Sequence, residues 1–462
     1  MAISGTASSQ NLSSAYFLDG FAYGHELNPA KEYDRSGYFS LPFLPSNFNF
    51  TVRGNVGVED FLLKNPNGKG LVSYLHPSVS IDDAMSNFHN NNKLLNDIRY
   101  DILSFGFHTK KAYHTVTIGL RTNFGFNMPY EIFEFSKNIE NKNYDFGDMG
   151  TTAQAWVEAG YGYSRNVTEA IRVGGKFKFL VGAGYADIKM DGLRLDLSGD
   201  DRWIATANGT AEVGVKGFTW GPTETKEYSS KPGTYEQIDF DNVDVESPGI
   251  GGLGAALDLG VEWDMGKQGI LDGMKLSMSL LDLGFIKWRE VSTAHNNGDP
   301  FELKFDEIKI KDGEGTDIDD QFDKFDDQLS DLMSLQNGGT TKKARMLGAT
   351  LNIAAEYTMP FYKHLKVGFL STTRIQGVYS WNEERLAATV SPVKWFEISG
   401  NIGVGTLGFN TGWILNLHPK AFNLFVGMDY VLGKMTKQYV PLRSNANLCM
   451  GINFPLGKSR VK

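Results

Sequence analysis

A single cysteine, Cys449, is the whole thiol complement of this 462-residue chain. That excludes an internal disulfide framework and any multi-cysteine metal site; the residue reads as a small lumen-side or packing group. No run of about eighteen apolar residues occurs, which excludes a transmembrane helix. Clean helical periodicity is nearly absent, which removes the pattern of a soluble α/β enzyme. Basic residues are outnumbered, 45 Lys and Arg against 54 Asp and Glu, so no cationic footprint points to nucleic acid. No Gly-x-Ser-x-Gly, P-loop or dinucleotide fingerprint stands in a strand-to-helix setting. The histidines (His25, His76, His89, His108, His114, His295, His364, His418) form no pair at metal-ligand spacing with a carboxylate partner. Nothing in these residues points to an enzyme, a cofactor or a metal.

What the chain does have is 52 glycines, 13% aromatic residues and strict one-for-one alternation. In Ala421–Leu432 one face carries Phe422, Leu424, Val426, Met428, Tyr430 and Leu432, the other Asn423, Phe425, Gly427, Asp429 and Val431. Asn445–Phe454 and Thr115–Met128 repeat the pattern, the latter with Val116, Ile118, Leu120, Phe124 and Phe126 opposite Thr117, Gly119, Arg121, Asn123 and Gly125. Period two means strand, because successive side chains leave opposite faces of the pleat. Lipid-like and wet faces repeated to the C-terminus are the pattern of a transmembrane β-barrel. Such a barrel needs only about ten residues per crossing, half of them polar, which agrees with a mean hydropathy of −0.28.

The alternating segments predict an all-β, antiparallel transmembrane barrel of about 14–16 strands. With the C-terminus placed in the periplasm, long loops at 61–97, 129–150, 217–249 and 291–343 fall on one side. Short turns such as 109–111, 165–167 and 391–392 fall on the other, the asymmetry of outer-membrane barrels. A phase slip at Leu280-Leu281 reads as a bulge. Ser80 is placed to cap a short helix, and 130–135 reads as partly helical. Residues 1–9 look like the tail of a signal peptide, residues 10–46 like a plug, and 47–462 like the barrel. Both termini are expected in the periplasm.

The wet faces interleave charges of both signs: Arg121, Glu158, Arg172, Lys176, Asp258, Glu262, Glu356 and Asp429, with Lys178, Lys275, Lys366 and Glu397. Two readings stand, a selectivity lining for a polar solute or charges that pair with one another and with the plug. Asp319–Leu335 is the one good amphipathic helix, with Phe322, Phe325, Leu329 and Leu332 on one face. It reads as a lid or partner-docking helix, or as a helix packed over the mouth by its apolar face. The acidic loop 311–323 places Asp317 where an EF-hand needs glycine, so it reads as a solvated loop.

The stretch Gln10–Ala30, ending in Asn28-Pro29-Ala30, together with Gly174–Gly182 and His418–Tyr430, resembles outer-membrane barrels of the Bacteroidota of the fatty-acid-transporter (FadL) and PorV-like type. The resemblance implies a barrel with an N-terminal segment in its lumen, and it carries over no ligand-contacting residue. Two functions follow as expectations. One is passive transport of small hydrophobic or amphipathic molecules. The other is a closed barrel acting as scaffold or accessory subunit, in contact with membrane lipid and holding protein partners by its outer loops.

Overall fold

The computed structural model describes residues 5–6, 12–138, 142–196, 203–227, 233–239, 242–266, 272–296, 301–303, 334–431 and 445–459. The expected lid helix, with Phe322, Phe325, Leu329 and Leu332, lies outside the described residues, as does most of the signal-like tail.

Fourteen antiparallel strands close into a barrel. Strand β1 comes in two halves, Arg35–Phe39 and Phe48–Gly54. It is followed by β2 (Asn91–His108), β3 (Ala112–Pro129), β4 (Asn143–Asn166) and β5 (Ile171–Asp196). Strand β6 is again split, Trp203–Val213 and Gly252–Asp264, and β7 is Met274–His295. Strand β8 is broken at Gly348 into Gln336–Leu347 and Ala349–Thr358. Then come β9 (Leu365–Ile375), β10 (Trp381–Val393), β11 (Phe396–Gly405), β12 (Gly408–Leu417), β13 (Asn423–Met428) and β14 (Ala446–Ser459). Both halves of β1 pair with β14, through Phe39↔Phe454 and Val52↔Ala446, which closes the ring. Closure matters because it leaves no backbone edge unpaired in lipid.

The alternation sorts the faces. Phe50, Tyr161, Phe177, Phe179, Leu257, Met278, Phe285, Phe369 and Ile402 point outward and are exposed. A continuous apolar surface of this extent belongs in a bilayer. Connections between strands are short at one rim and longer at the other. At the long-loop rim Ser80 caps a helix over Ile81–Met85 through the Asp83 amide, 3.1 Å away. A second helix spans Tyr130–Lys137. Phe61, Tyr74, Phe88 and Phe133 pack between them, with Phe88 and Phe133 stacked at 4.1 Å.

Three expectations are corrected. The long loop at 217–249 does not join two strands, since both halves of β6 pair with β5 and form one crossing. The excursion carries a hairpin, Thr223–Glu227 with Thr234–Ile238. It packs Ile238 and Trp220 against Ala211, Ala294 and Leu335. The wall begins at Arg35 rather than after residue 46, because Gly37, Tyr38 and Phe39 pair on both sides. The long loops are also shorter than expected, with β2 starting at Asn91 and β4 at Asn143. The bulge on β7 falls at Leu281-Asp282, where Asp282 adopts φ 61°. That turns its carboxylate inward, 2.5 Å from the Lys178 amine.

Candidate functional site

Residues 12–34 lie inside the barrel. Leu12, Tyr16, Phe17, Leu18, Phe21, Tyr23, Leu27 and Tyr33 are buried there against Tyr38, Tyr113, Leu370, Ile414, Phe425 and Cys449. The segment is made of short turns rather than long helix, so many of its backbone groups need outside partners. The wall supplies them. Asp429 accepts from the Ser13 and Ser14 amides at 2.8 and 2.7 Å. Glu397 accepts from the Asp19 and Gly20 amides, both at 3.1 Å. Ser279 Oγ donates to the Leu27 carbonyl at 2.8 Å, and Arg172 Nε to the Ala30 carbonyl at 2.7 Å.

Asn28, Pro29 and Ala30 bend directly against the wall. Asn28 Oδ1 accepts from the Ala30 amide at 2.9 Å, and its Nδ2 donates to the Val261 carbonyl at 3.3 Å. Two glycines leave room for this bend. A Cβ on Gly174 would lie 2.1 Å from the Pro29 carbonyl oxygen, and one on Gly260 would lie 2.0 Å from Asn28 Oδ1.

Glu26 is the charged centre of the contact. Its carboxylate lies 2.6 Å from Lys176 Nζ and 2.8 Å from Arg99 Nη2. The row continues through Asp101, 3.2 Å from Arg99 and 2.9 Å from Arg121, to Glu158, 2.6 Å from Arg121. Burial alone would raise the Glu26 pKa, but Arg99 and Lys176 outweigh it and hold the carboxyl well below its ordinary range. Burial also pushes the neighbouring His25 down to about 4, with Glu26 opposing the shift. His25 is therefore neutral at pH 7, and Nε2 lies 2.7 Å from Tyr38 OH.

Of the lining residues read from the sequence, Arg121, Glu158, Arg172, Lys176, Asp258 and Asp429 are buried on the inward face. Asp258 meets Lys178 at 2.7 Å. Glu262 and Glu356 are half-buried, with Glu356 within 3.6 Å of Lys275 and 3.8 Å of Lys366. The sequence reading omitted Glu26, Arg99, Asp101, Asp282, Arg345, Arg374, Glu383 and Arg385. Arg99 and Asp101 stand two apart on a strand, so the same alternation could have found them. Where Ser13, Tyr16, Glu26, Arg99, Lys178 and Asp282 meet, the volume open to a water centre is ≈ 10 Å³, room for about one water.

A second closure sits nearer the long-loop rim. The β9–β10 connection, residues 376–380, turns inward instead of outward, with Gly377 at φ 59°. Tyr379 is buried against Gly125, where a Cβ would lie 3.0 Å from its ring. Its hydroxyl donates to the Gly150 carbonyl on β4 at 3.3 Å. Because β4 and β9 stand five strands apart in a fourteen-stranded ring, this loop reaches across part of the lumen. Sequence reasoning did not single it out. Among the described residues no cluster of His, Cys, Asp or Glu has metal-binding geometry.

A closed barrel with an apolar outside, a filled lumen and one rim of longer loops is an outer-membrane barrel. The chain belongs to a family of unknown function, DUF5723, whose profile matches residues 29–429. No curated protein matches it. Among solved structures it is similar to the toluene transporter TbuX of Ralstonia pickettii, at TM-score 0.41 and 8% identity over 98% of this chain and 97% of that one. It is similar to the P. putida toluene transporter TodX at TM-score 0.39 and 8% identity, over 98% and 96% of the two chains. A Pseudomonas aeruginosa FadL homologue gives TM-score 0.41 and 8% identity over 98% and 100%.

Proposed function

We propose that the protein is a gated passive conduit of the outer membrane for small hydrophobic or amphipathic molecules, with residues 12–34 as its plug. The short-turn rim and the C-terminal end of β14 face the periplasm, and the longer loops face outward. The observation that carries the reading is how the lumen is filled. The inner segment is held by side-chain hydrogen bonds and by ion pairs at Glu26, not by strand pairing with the wall. Contacts of that kind break locally without opening the barrel. The charged lining around it pairs internally and with the plug, so it holds the closed state rather than selecting a free ion. Single-channel conductance of barrels with the plug loosened tests this, and the expected result is current that the intact chain lacks.

A second reading, a closed barrel serving as an accessory subunit for surface proteins, is favoured by the small volume, ≈ 10 Å³, open where Ser13, Tyr16 and Glu26 meet Arg99 and Lys178. Its partners would meet the long-loop rim. It predicts no current from any variant that stays folded.

A further inference from the structure

The outer face of β6, β7 and β8 ends in cations toward the long-loop rim. From Leu276 through Met278, Leu280 and Leu283 to Phe285, the outward residues of β7 are apolar. That run is roughly 30 Å of strand, or roughly 23 Å of height at the usual tilt, close to the apolar band of an outer-membrane barrel. The next two outward residues are Lys287 and Arg289, both exposed. Leu253 of β6 and Ala344 of β8 flank Lys287 in the register. On β8 the outward residues Met346 and Ala344 give way at the same level to Lys342, also exposed. Lys342 stands opposite the bulge that Arg289 and Glu290 form between Trp288↔Lys343 and Val291↔Thr341. A fourth cation, Lys216, lies exposed at the root of the 214–251 excursion, where a Cβ on Gly249 would be 3.2 Å from its side chain. The Arg289 amide donates to the Gly251 carbonyl at 3.0 Å and holds that root beside β7.

Like charges on facing strand positions destabilise a sheet, and elsewhere at this rim the chain avoids that cost by pairing. Lys142 meets Glu134 at 3.1 Å, Arg194 meets Asp145 at 3.2 Å, and the inward Lys343 pairs with Glu212. The outward four are different. Among the described residues, Lys216, Lys287, Arg289 and Lys342 have no carboxylate within ion-pair distance and no side-chain hydrogen bond. Glu290, beside them on β7, instead accepts from the Gly217 amide at 3.3 Å. Glu246 is tied to Gly217 by a backbone bond of 2.9 Å, and its carboxylate pairs with none of the four. The patch is three strands wide, roughly 10 Å. Directly below it, Phe285 and Met346 face each other in the register, both exposed.

We infer that this patch binds the headgroup of a glycolipid carrying two phosphates, seated in the outer leaflet. Position selects a lipid. The cations begin where the apolar band ends, so a headgroup meets them while its acyl chains run down over Phe285 and Met346. Charge selects an anion, and the Arg289 guanidinium with three lysine amines suits phosphate oxygens. Width selects more than one phosphate, since a single phosphodiester touches only part of a patch three strands across. The long-loop rim, outward in the proposed orientation, puts the patch in the outer leaflet. Binding in detergent depends neither on that orientation nor on conduction, so this inference and the transport reading fail separately.

The test is native mass spectrometry of the full-length protein released from mixed micelles. Phosphatidylethanolamine is the background lipid, and bisphosphorylated lipid A, monophosphorylated lipid A or phosphatidylglycerol is titrated in. The expected result is saturable retention of bisphosphorylated lipid A, in preference to the other two. Retention weakens roughly fivefold for each cation removed, in Lys342→Gln and, more strongly, in Lys287→Gln with Arg289→Gln. Lys110→Gln with Lys111→Gln, exposed at the β2–β3 turn of the opposite rim, leaves retention as in the parent. Heat-modifiable gel mobility shows that each barrel is closed. Equal retention of phosphatidylglycerol or of monophosphorylated lipid A overturns the inference. So does parent-like retention in closed barrels of both patch variants, or an equal loss in the opposite-rim control.

Discussion

Glu26 and Lys176 meet at 2.6 Å across 150 residues of sequence, one on the plug and the other on strand β5. Both are buried, so the pair has little water to fall back on. Removing one partner of such a pair costs about 3–5 kcal/mol, because the other charge stays buried and unpaired. Glu26→Gln is therefore expected to lower the denaturant midpoint of the folded barrel and to expose residues 12–34 to protease. Glu26→Leu combined with Lys176→Met should recover much of the loss. Limited proteolysis followed by mass analysis reads both.

The fit at Asn28-Pro29-Ala30 depends on what the wall omits. Gly260→Val would drive a side chain into Asn28 Oδ1 and the Pro29 ring. The expected outcome is a plug displaced from a barrel that still closes, seen as protease cleavage within residues 12–34. Gly400→Ala, whose Cβ meets nothing within 4 Å, serves as the matched control and should behave as the parent.

Acid should loosen the plug in a defined window. His25 has a folded pKa of about 4 against an ordinary 6.5. As pH falls below 6.5 the released segment takes up a proton that the docked segment refuses, so docking weakens progressively down to about 4. Below the ordinary carboxyl value of 4.5 the Glu26 contribution begins to fall as well, since its docked pKa is lower still. Protease sensitivity of residues 12–34 measured from pH 7 to pH 4 should rise across that range. His25→Gln should remove the part above pH 5.

The Tyr379 roof makes an independent prediction. Tyr379→Phe removes one hydrogen bond to Gly150, a loss of about 0.5–1.5 kcal/mol. Tyr379→Ala also removes the ring that covers Gly125. A bulky thiol reagent should then reach a cysteine placed at Thr152 in Tyr379→Ala, and reach it slowly in the parent.

The legible part of this fold was the alternation. Val116 to Phe126 alone fixes a strand and both of its faces, and the same rule placed Arg121, Glu158, Lys176 and Asp429 on the wet side. Phase is a local property, so one sequence suffices to read it. Pairing across distance is different. Nothing near Val213 or Gly252 says that the two segments continue one crossing, because that is decided by their shared partner β5. Likewise Arg35–Phe39 is five residues ended by Pro42 and Pro45, which reads as irregular until β2 and β14 pair with it. The Tyr379 loop escaped notice for a related reason. A short connection looks like a turn facing solvent, and only the closed ring shows that it reaches across to β3 and β4.

The claim at the centre is that residues 12–34 stopper a real lumen. Planar-bilayer recording of the intact chain beside a deletion of residues 12–34 tests it most directly, with heat-modifiable gel mobility showing that both barrels are closed. The deletion leaves Arg35–Phe39 in the wall, so strand β1 is preserved. The account predicts a silent intact chain and stable current steps from the deletion, larger still when Tyr379→Ala is added. A folded deletion barrel that stays silent, with or without Tyr379→Ala, would contradict it and leave the closed accessory barrel in its place.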